Sequence, residues 1–303
     1  MSAATKHLNF RSILCPVDFS ACSSAALDYA RAVARRQRAA LHVVYVNDPL
    51  LVVAAATAMH DDMVKRSARE LRVFVNKSVR PTRRSRVSLQ VRVGDPVTQI
   101  LKVARSQGAD LIVMGTHGLT GADRWLVGST TLDVLRRTRV PVLIIPSRPR
   151  RRARLHRSWP GKRILAAIDV NGASTHDVTV AIRAAAAFGS TLVLAHAVKD
   201  RATPAWLKNN RLGPAGQLRH VWRRMVSLAA VARRKMATDI RVVKGSPGEL
   251  LGALAKAENL QLIVTTLRAR RRWFEPKRGS VSYQLILRAR IPVLACPPRW
   301  RLP

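Results

Sequence analysis

The chain contains the same pattern twice at one fixed distance, and this repeat limits what it can fold into. The segment SILCPVDFSACSSAALDYARAVA is matched later by RILAAIDVNGASTHDVTVAIRAAA, and GSTTLDVLRRTRVPVLIIP by GSVSYQLILRARIPVLACP. Four corresponding pairs lie 151 residues apart: Asp18 and Asp169, Gly94 and Gly245, Gly128 and Gly279, Pro141 and Pro292. Because self-similarity at a single offset indicates duplicated structural units, the 303 residues predict two copies of one domain.

The two copies define the domain boundaries that we predict. The first domain covers residues 9–147, a linker covers 148–160, and the second domain covers 161–298. The linker RPRRRARLHRSWP is rich in proline and arginine and has no apolar periodicity, which is typical of an exposed connection. Its arginines fit either a basic arm that binds a polyanion or a tether that is only solvated, and the sequence favours neither.

Within each copy, short apolar segments alternate with segments of helical periodicity. In the first copy, strands are predicted at SILCPV, LHVVYV, VSLQVRV, ADLIVMG and VPVLIIP. Helices are predicted between them, including one that begins at Pro96 and one that is capped by Ser129 or Thr130. Strands joined through helices pair in parallel by right-handed crossovers. The predicted fold class is therefore α/β, with two tandem doubly wound, Rossmann-like domains that each contain a five-stranded parallel sheet.

Composition narrows the class of protein further. The 54 Lys and Arg against 17 Asp and Glu give a net charge of +37. No apolar run approaches the roughly 18 residues that cross a bilayer, and the first residues lack the apolar middle of a signal peptide. The three cysteines, Cys15, Cys22 and Cys296, form no CxxC pair. Sparse, unpaired cysteines suit a reducing compartment, so we expect a cytoplasmic protein with no membrane partner.

Three features of the first copy are predicted to meet at one edge of the sheet. Asp18 follows the first strand, Val46 lies at the end of the second, and the glycine-rich segment VMGTHGLTGADRWLVGST follows the fourth. In doubly wound sheets, ligands bind beyond the carboxyl ends of the strands, where the strand order reverses. Glycine has no Cβ, so the backbone at Gly115 and Gly118 could turn sharply and approach a ligand closely.

The glycine-rich segment ends in Gly128, Ser129 and Thr130, which lead into the fourth predicted helix. The first amides of a helix have no internal hydrogen-bond partner, and the helix dipole makes this end attractive to anions. Phosphate binding is one interpretation of the segment. The other is that the glycines only shape a turn and that Ser129 caps the helix.

The spacing of this segment resembles a known nucleotide motif. Gly115-x-x-Gly118, nine further residues and then Gly128-Ser129 is similar to the motif of the ATP-binding type of the universal stress protein family. The segments PVDFS and VPVLIIP and the order of elements are also similar to that family. The resemblance extends over both copies, so it implies a tandem universal stress protein with an adenine nucleotide alpha hydrolase-like fold.

The resemblance implies ATP, with Mg²⁺, as the ligand of the first domain. Asp18, with Pro16 beside it, would contact the adenosine or help to hold the metal ion. The other implied contacts are Val46 to the adenine, Met114, Gly115, His117 and Gly118 to the ribose and phosphates, and Gly128, Ser129 and Thr130 to the phosphates. A carboxylate suits both ribose hydroxyls and Mg²⁺. The alternative role for Asp18 is to cap the helix that follows it.

The second copy keeps only part of this motif. Asp169, Gly279 and Ser280 remain, but Thr266 and Ala269 stand where the first copy has glycines. Four arginines lie in the same segment: Arg268, Arg270, Arg271 and Arg272. The second site is either degenerate or binds another anion through guanidinium groups. We expect a degenerate site, and therefore one nucleotide per chain.

Three classes of function fit the sequence to different degrees. The first is a stress-response regulatory protein that binds ATP with at most slow hydrolysis or autophosphorylation, because no activated nucleophile and base are evident; it would not be an enzyme. The second is a protein associated with nucleic acid or the ribosome, using the arginine-rich linker and the RARRRW segment with Trp273. The third, an adenylate-forming enzyme, lacks the Ser-Gly-Gly-x-Asp and His-x-Gly-His signatures. Two copies already form an internal pseudo-dimer, and the sequence leaves a homodimer open.

Overall fold

The computed structural model describes residues 9–47, 60–78, 86–116, 127–147, 159–170, 175–198, 214–267, 281–297 and 300. Their contacts divide them into two compact units, Asn9–Trp159 together with Trp300, and Pro160–Pro298. Each unit consists of parallel strands that alternate with helices. The predicted α/β fold class is confirmed.

The first unit contains five strands in the order β3-β2-β1-β4-β5, and every described pair is parallel. Its elements are β1 Ser12–Val17, α1 Ala21–Gln37, β2 Ala40–Asn47, α2 His60–Ser78, β3 Val87–Val93, α3 Pro96–Ser106, β4 Leu111–Gly115, α4 Ser129–Arg137 and β5 Val142–Ile145. The strand order reverses between β1 and β4, which makes the carboxyl ends of these strands the switch point of the sheet.

The second unit repeats this topology, with its strands in the order β8-β7-β6-β9-β10. Its elements are β6 Arg163–Ala167, α5 Thr175–Ala187, β7 Thr191–Val198, α6 Pro214–Arg233, β8 Thr238–Lys244, α7 Pro247–Ala257, β9 Ile263–Thr266, α8 Val281–Arg288 and β10 Val293–Cys296. The corresponding switch point therefore lies between β6 and β9.

The central strands are apolar on both faces because helices cover both sides of the sheet. Ile13 and Leu14 of β1 and Leu111 and Ile112 of β4 are completely buried. Helix α1 packs on these strands through small residues such as Ala26 and Ala30, which are also completely buried. Small side chains let the helix approach the sheet closely, so the alanine-rich sequence of α1 suits this position.

One buried carboxylate joins the beginnings of β1 and β4. Asp110 accepts hydrogen bonds from the backbone amides of Arg11 at 2.6 Å and Ser12 at 3.2 Å. Burial raises the pKa of Asp110, and the two amide donors oppose that rise. The hydroxyl of Ser12 adds a bond to the carbonyl of Gln107 at 2.8 Å. These bonds hold the start of β1 against the turn that leads into β4.

We predict that Asp110→Ala lowers the free energy of unfolding of the first unit by about 1–3 kcal/mol, because it leaves two amides at the strand start without their acceptor. Urea denaturation measures this change. Asp133→Ala is the control, since it removes only the exposed ion pair with Arg136 and should cost less than about 0.5 kcal/mol. Equal losses in the two variants would contradict the role of Asp110.

Candidate functional site

The ends of β1, β2 and β4 bring the predicted site residues to one edge of the first sheet. Val17 pairs with Tyr45, so Asp18 and Val46 each lie one residue beyond that pair. Gly115 is the last residue of β4, which is the other neighbour of β1. The structure thus places these three elements around the switch point, as their order in the sequence predicts.

The turn after β1 holds the carboxylate of Asp18 in a defined position. One oxygen of Asp18 accepts a hydrogen bond from the amide of Ser20 at 3.1 Å, and the amide of Asp18 donates to the hydroxyl of Ser23 at 3.3 Å. Ser20 is the N-cap of α1, because its hydroxyl accepts from the amide of Ser23. Asp18 is therefore not the cap of α1. Its second oxygen accepts no hydrogen bond from the residues that the structure describes, which leaves it for a ligand.

An aromatic cluster stabilises this turn, and the sequence analysis did not identify it. Phe19 has a φ of 63°, in the left-handed region that non-glycine residues rarely adopt. Its ring lies 4.4 Å from that of Tyr45 and 5.4 Å from that of Phe74, measured between centroids. Such contacts contribute about 0.5–1.5 kcal/mol per pair and offset part of the backbone strain. The only signal in the sequence is an aromatic residue directly after Asp18.

Gly115 has a packing role that the sequence did not predict. A Cβ at this position would lie 3.0 Å from the sulfur of Cys22 and 3.2 Å from its carbonyl carbon. The missing side chain therefore lets α1 approach β4, and Gly115 lies outside the left-handed region of φ. The neighbouring Met114 is buried, as is Pro16 within β1, so both belong to the strands that support the site.

The amino-terminal end of α4 differs from the predicted one. We predicted that Ser129 or Thr130 caps the helix, but the N-cap is Gly128, which has no side chain to cap with. Ser129 and Thr130 are the first two residues of the helix instead. Since no side chain of the described residues caps this end, its first-turn amides are suited to an anion.

A hydroxyl group ties α4 to the end of β4. Thr131 is buried and donates from Oγ1 to the carbonyl of Gly115 at 3.0 Å. The amide of Gly128 also donates to the carbonyl of Thr116 at 2.7 Å. Together these bonds bring the beginning of α4 next to the carboxyl end of β4. The helix end and the turn of Asp18 therefore flank the same switch point.

The second unit repeats the contact between helix and strand at this site but has different side chains in the turn after its first strand. Ser282, at the position of Thr131, donates to the carbonyl of Thr266 at 3.3 Å, so the contact between helix and strand recurs. Asp169 follows β6 as Asp18 follows β1, but a buried Val170 takes the place of Phe19. The aromatic cluster of the first unit therefore has no equivalent in this turn.

A buried histidine stands where the first unit has Tyr45. The ring of His196 is 6% exposed, and its Nδ1 lies 2.8 Å from the carbonyl of Ile168. Burial lowers the pKa of His196 below its ordinary 6.5, while the bond to Ile168 and the charge of Asp169 oppose the shift.

Several predicted contacts lie outside the described residues. They are His117, Gly118, Gly279, Ser280, the four arginines Arg268, Arg270, Arg271 and Arg272, Trp273, and the linker as far as residue 158. Among the described residues, no group of three or more His, Cys, Asp or Glu side chains could hold a metal ion. No helix in the described part of the chain is long and apolar enough to cross a membrane.

The known proteins to which this chain is similar in sequence or in fold include several universal stress proteins. A sequence model of the Universal stress protein family matches residues 9–146 and 161–297. A universal stress protein of Methanocaldococcus jannaschii is 29% identical over 140 residues, which are 45% of this chain and 82% of that protein. The crystal structure of a universal stress protein from Archaeoglobus fulgidus aligns with 96% of this chain and 98% of its own, with a TM-score of 0.64 and 20% identity. A universal stress protein solved in complex with cAMP aligns with 46% of this chain and 98% of its own, with a TM-score of 0.35 and 24% identity.

We predict that Gly115→Ala destabilises the first unit by about 1–3 kcal/mol, because its Cβ collides with Cys22. Cys22→Ala should restore part of that loss in the double variant. The second copy has this combination, with Thr266 at one position and Ala173 at the other. Denaturant titration of the four proteins measures the coupling. Additive effects would show that Cys22 does not limit the space at Gly115.

We also predict that the second unit loses stability as the pH falls below 6.5. The folded state favours neutral His196, so the unfolded chain takes up the proton first, and the stabilisation present above 6.5 is lost on acidification. Hydrogen–deuterium exchange of β7 as a function of pH measures the effect. His196→Gln should keep a hydrogen-bond donor to the carbonyl of Ile168 but remove the dependence of stability on pH below 6.5. If the variant and the original chain showed the same pH profile, His196 would not be the group responsible.

Proposed function

We propose that this chain, which belongs to the universal stress protein family, is a stress-response regulatory protein that binds ATP in its first domain. The family match covers both copies, so the tandem universal stress protein indicated by the sequence motifs is confirmed. The observation that supports ATP is that a helix end without a side-chain cap and a carboxylate lie at one switch point. These are the beginning of α4 at Gly128 and the side chain of Asp18.

The two groups suit opposite ends of a nucleotide. The amides at Ser129 and Thr130 would bind phosphate oxygens, and the helix dipole would add about 0.3–1 kcal/mol. The free oxygen of Asp18 would accept from ribose hydroxyls, and the backbone of Val46 at the end of β2 would contact the adenine. The segment lacks the lysine of a Walker A loop. In this proposal the backbone amides and the helix dipole would bind the phosphates in its place.

A magnesium ion fits this site only with help from the nucleotide. Asp18 supplies a single carboxylate, and no cluster of three acidic or histidine side chains occurs among the described residues. Mg²⁺ commonly binds through one or two carboxylates, water and substrate phosphates. In this role Asp18 would hold the ion together with the phosphates instead of accepting from the ribose, and the positive charge of the ion would neutralise that of the phosphates.

The protein would act by binding rather than by catalysis. Burial raises the pKa values of Cys15 and Cys296, so neither thiol forms a nucleophilic thiolate at neutral pH. Cys22 is buried as well, with its sulfur 3.9 Å from the hydroxyl of Thr116. A regulatory role needs only that the bound nucleotide changes the stability or surface of the first domain.

We propose that the second domain does not bind the same ligand. The hydrogen bond from helix to strand recurs there through Ser282, but Thr266 and Ala269 replace the two glycines of the motif. The turn after Asp169 also lacks the aromatic cluster that positions Asp18. Each chain would therefore hold one nucleotide.

Calorimetric titration of the full chain with Mg-ATP should show one site per chain. Asp18→Ala should weaken binding by roughly 10- to 150-fold, because it removes one charge-assisted contact of roughly 1.5–3 kcal/mol. Asp169→Ala is the matched control in the second domain and should leave the titration unchanged. Two equivalent sites, or equal effects of the two variants, would contradict the proposal.

Nucleotide analysis of the purified protein provides an independent measurement. Gly118→Leu should remove bound ATP, because a bulky side chain in the motif obstructs close approach to the phosphates. Ala269→Leu, at the corresponding position of the second domain, should have no effect. Circular dichroism checks that both variants remain folded. Unchanged occupancy in folded Gly118→Leu would exclude the motif as the phosphate site.

A further inference from the structure

Helix α6 of the second unit exposes a row of large apolar side chains. Leu218, Trp222 and Val226 are 44%, 48% and 37% exposed, and their spacing of four residues places them on one face of the helix. The adjoining face of the helix is buried through residues such as Val221, Met225 and Ala229. The packing of the unit therefore covers one face of α6 and leaves the apolar row beside that face available to a partner.

This face borders a groove beside the edge strand β8. The groove has a volume of about 390 Å³ and is lined by Leu218, Arg219, Trp222 and Arg223 of α6 and by Val242 of β8. It combines a large aromatic surface with two guanidinium groups. A volume of this size falls within the range of small-ligand pockets, roughly 300–1,000 Å³.

The charge of this face is uncompensated. Helix α6 contains no acidic residue. Arg219, Arg223 and Arg224 make no ion pair or side-chain hydrogen bond within the described part of the chain. Of the elements that contact α6, β8 contains Asp239, which is engaged by Arg163, and α5 contains Asp177. Among the described residues, no carboxylate therefore pairs with Arg219, Arg223 or Arg224, and these guanidinium groups can donate to an anion.

The corresponding helix of the first unit does not have this character. In α2, Lys65 pairs with Asp62 and Arg66 pairs with Glu70, so carboxylates partly neutralise the helix. Val73 is exposed there, but no tryptophan occurs in α2. The two helices occupy equivalent places in the repeat, so the common fold does not explain the face of α6.

We propose that the α6 face, defined as Leu218, Arg219, Trp222, Arg223 and Val226, binds single-stranded nucleic acid. The half-exposed ring of Trp222 would stack on an unpaired base. Arg219 and Arg223 would bind the phosphates on either side, and Leu218 and Val226 would contact sugar and base edges. The proposal is independent of the nucleotide site, which lies in the first unit.

Charge complementarity favours a polyanion over an acidic protein segment. The net charge of +37 belongs to the whole chain, so it attracts a ligand whose negative charge continues beyond the groove. A strand of nucleotides has this property, whereas a short acidic helix would be neutralised by the four arginines of α6 alone. Stacking on Trp222 requires an unpaired base, so a single strand should bind better than a duplex.

The test is fluorescence anisotropy of the full chain with a labelled oligouridylate of about 20 nucleotides, titrated at several salt concentrations. Trp222→Ala should weaken binding about tenfold, and Trp222→Phe should recover much of it because phenylalanine still stacks. Arg219→Gln with Arg223→Gln should lower the slope of log affinity against log salt by about 1.4, or about 0.7 for each phosphate that is no longer neutralised.

A charge-matched control distinguishes this face from general electrostatic attraction. Arg69→Gln with Arg72→Gln removes two charges from α2 in the first unit and should leave the affinity nearly unchanged. Equal losses in the two double variants would overturn the proposal, because binding would then follow net charge alone. It would also be overturned if Trp222→Ala had no effect or if a duplex bound as tightly as the single strand, and an acidic protein segment would then be the occupant to examine.

Discussion

The parallel pairing of β1 with β2 on one side and β4 on the other is the constraint on which the rest of the structure depends. Ile13 pairs with Leu41 and with Leu111, so β1 lies in the centre of its sheet. Parallel strands that follow each other in the chain require a crossover: α1 leads from β1 to β2 in one direction across the sheet, and α3 leads from β3 back past β1 to β4 in the other. The helices that follow β1 and β4 therefore cover opposite faces of the sheet. The candidate site lies in the opening between these two helices, at the carboxyl ends of the strands.

The two units show how one frame can carry different surfaces. Thr131 and Ser282 make the same contact with the strand before their helices, although the residue at that strand end is Gly115 in one unit and Thr266 in the other. The frame depends on backbone carbonyls, which every residue supplies. The ligand site depends on particular side chains, or on their absence, so it can change in one copy without loss of the fold.

The excess of arginine has no structural explanation within the described cores, which are apolar. In the second unit, Arg163 and Arg241 are engaged by Asp239 and Glu258, and this small network holds β6, β8 and the end of α7 together. Most such pairs lie near the surface and contribute little to stability. Net charge acts instead on solubility, association rates and the choice of partners. On the α6 face, two of these arginines, Arg219 and Arg223, line the same groove as the exposed ring of Trp222.

The sequence by itself determined the repeat, the α/β class and the placing of Asp18, Val46 and Gly128 at one edge of the first sheet. Chain order and periodicity suffice for this, because parallel strands joined by helices have few topologies. Only the tertiary structure decided that Gly115 makes room for Cys22, that Phe19 packs on Tyr45 and Phe74, and that Trp222 faces outward. These facts depend on distances between residues far apart in the chain. A periodic pattern specifies which face of an element is apolar, but not which neighbour covers it.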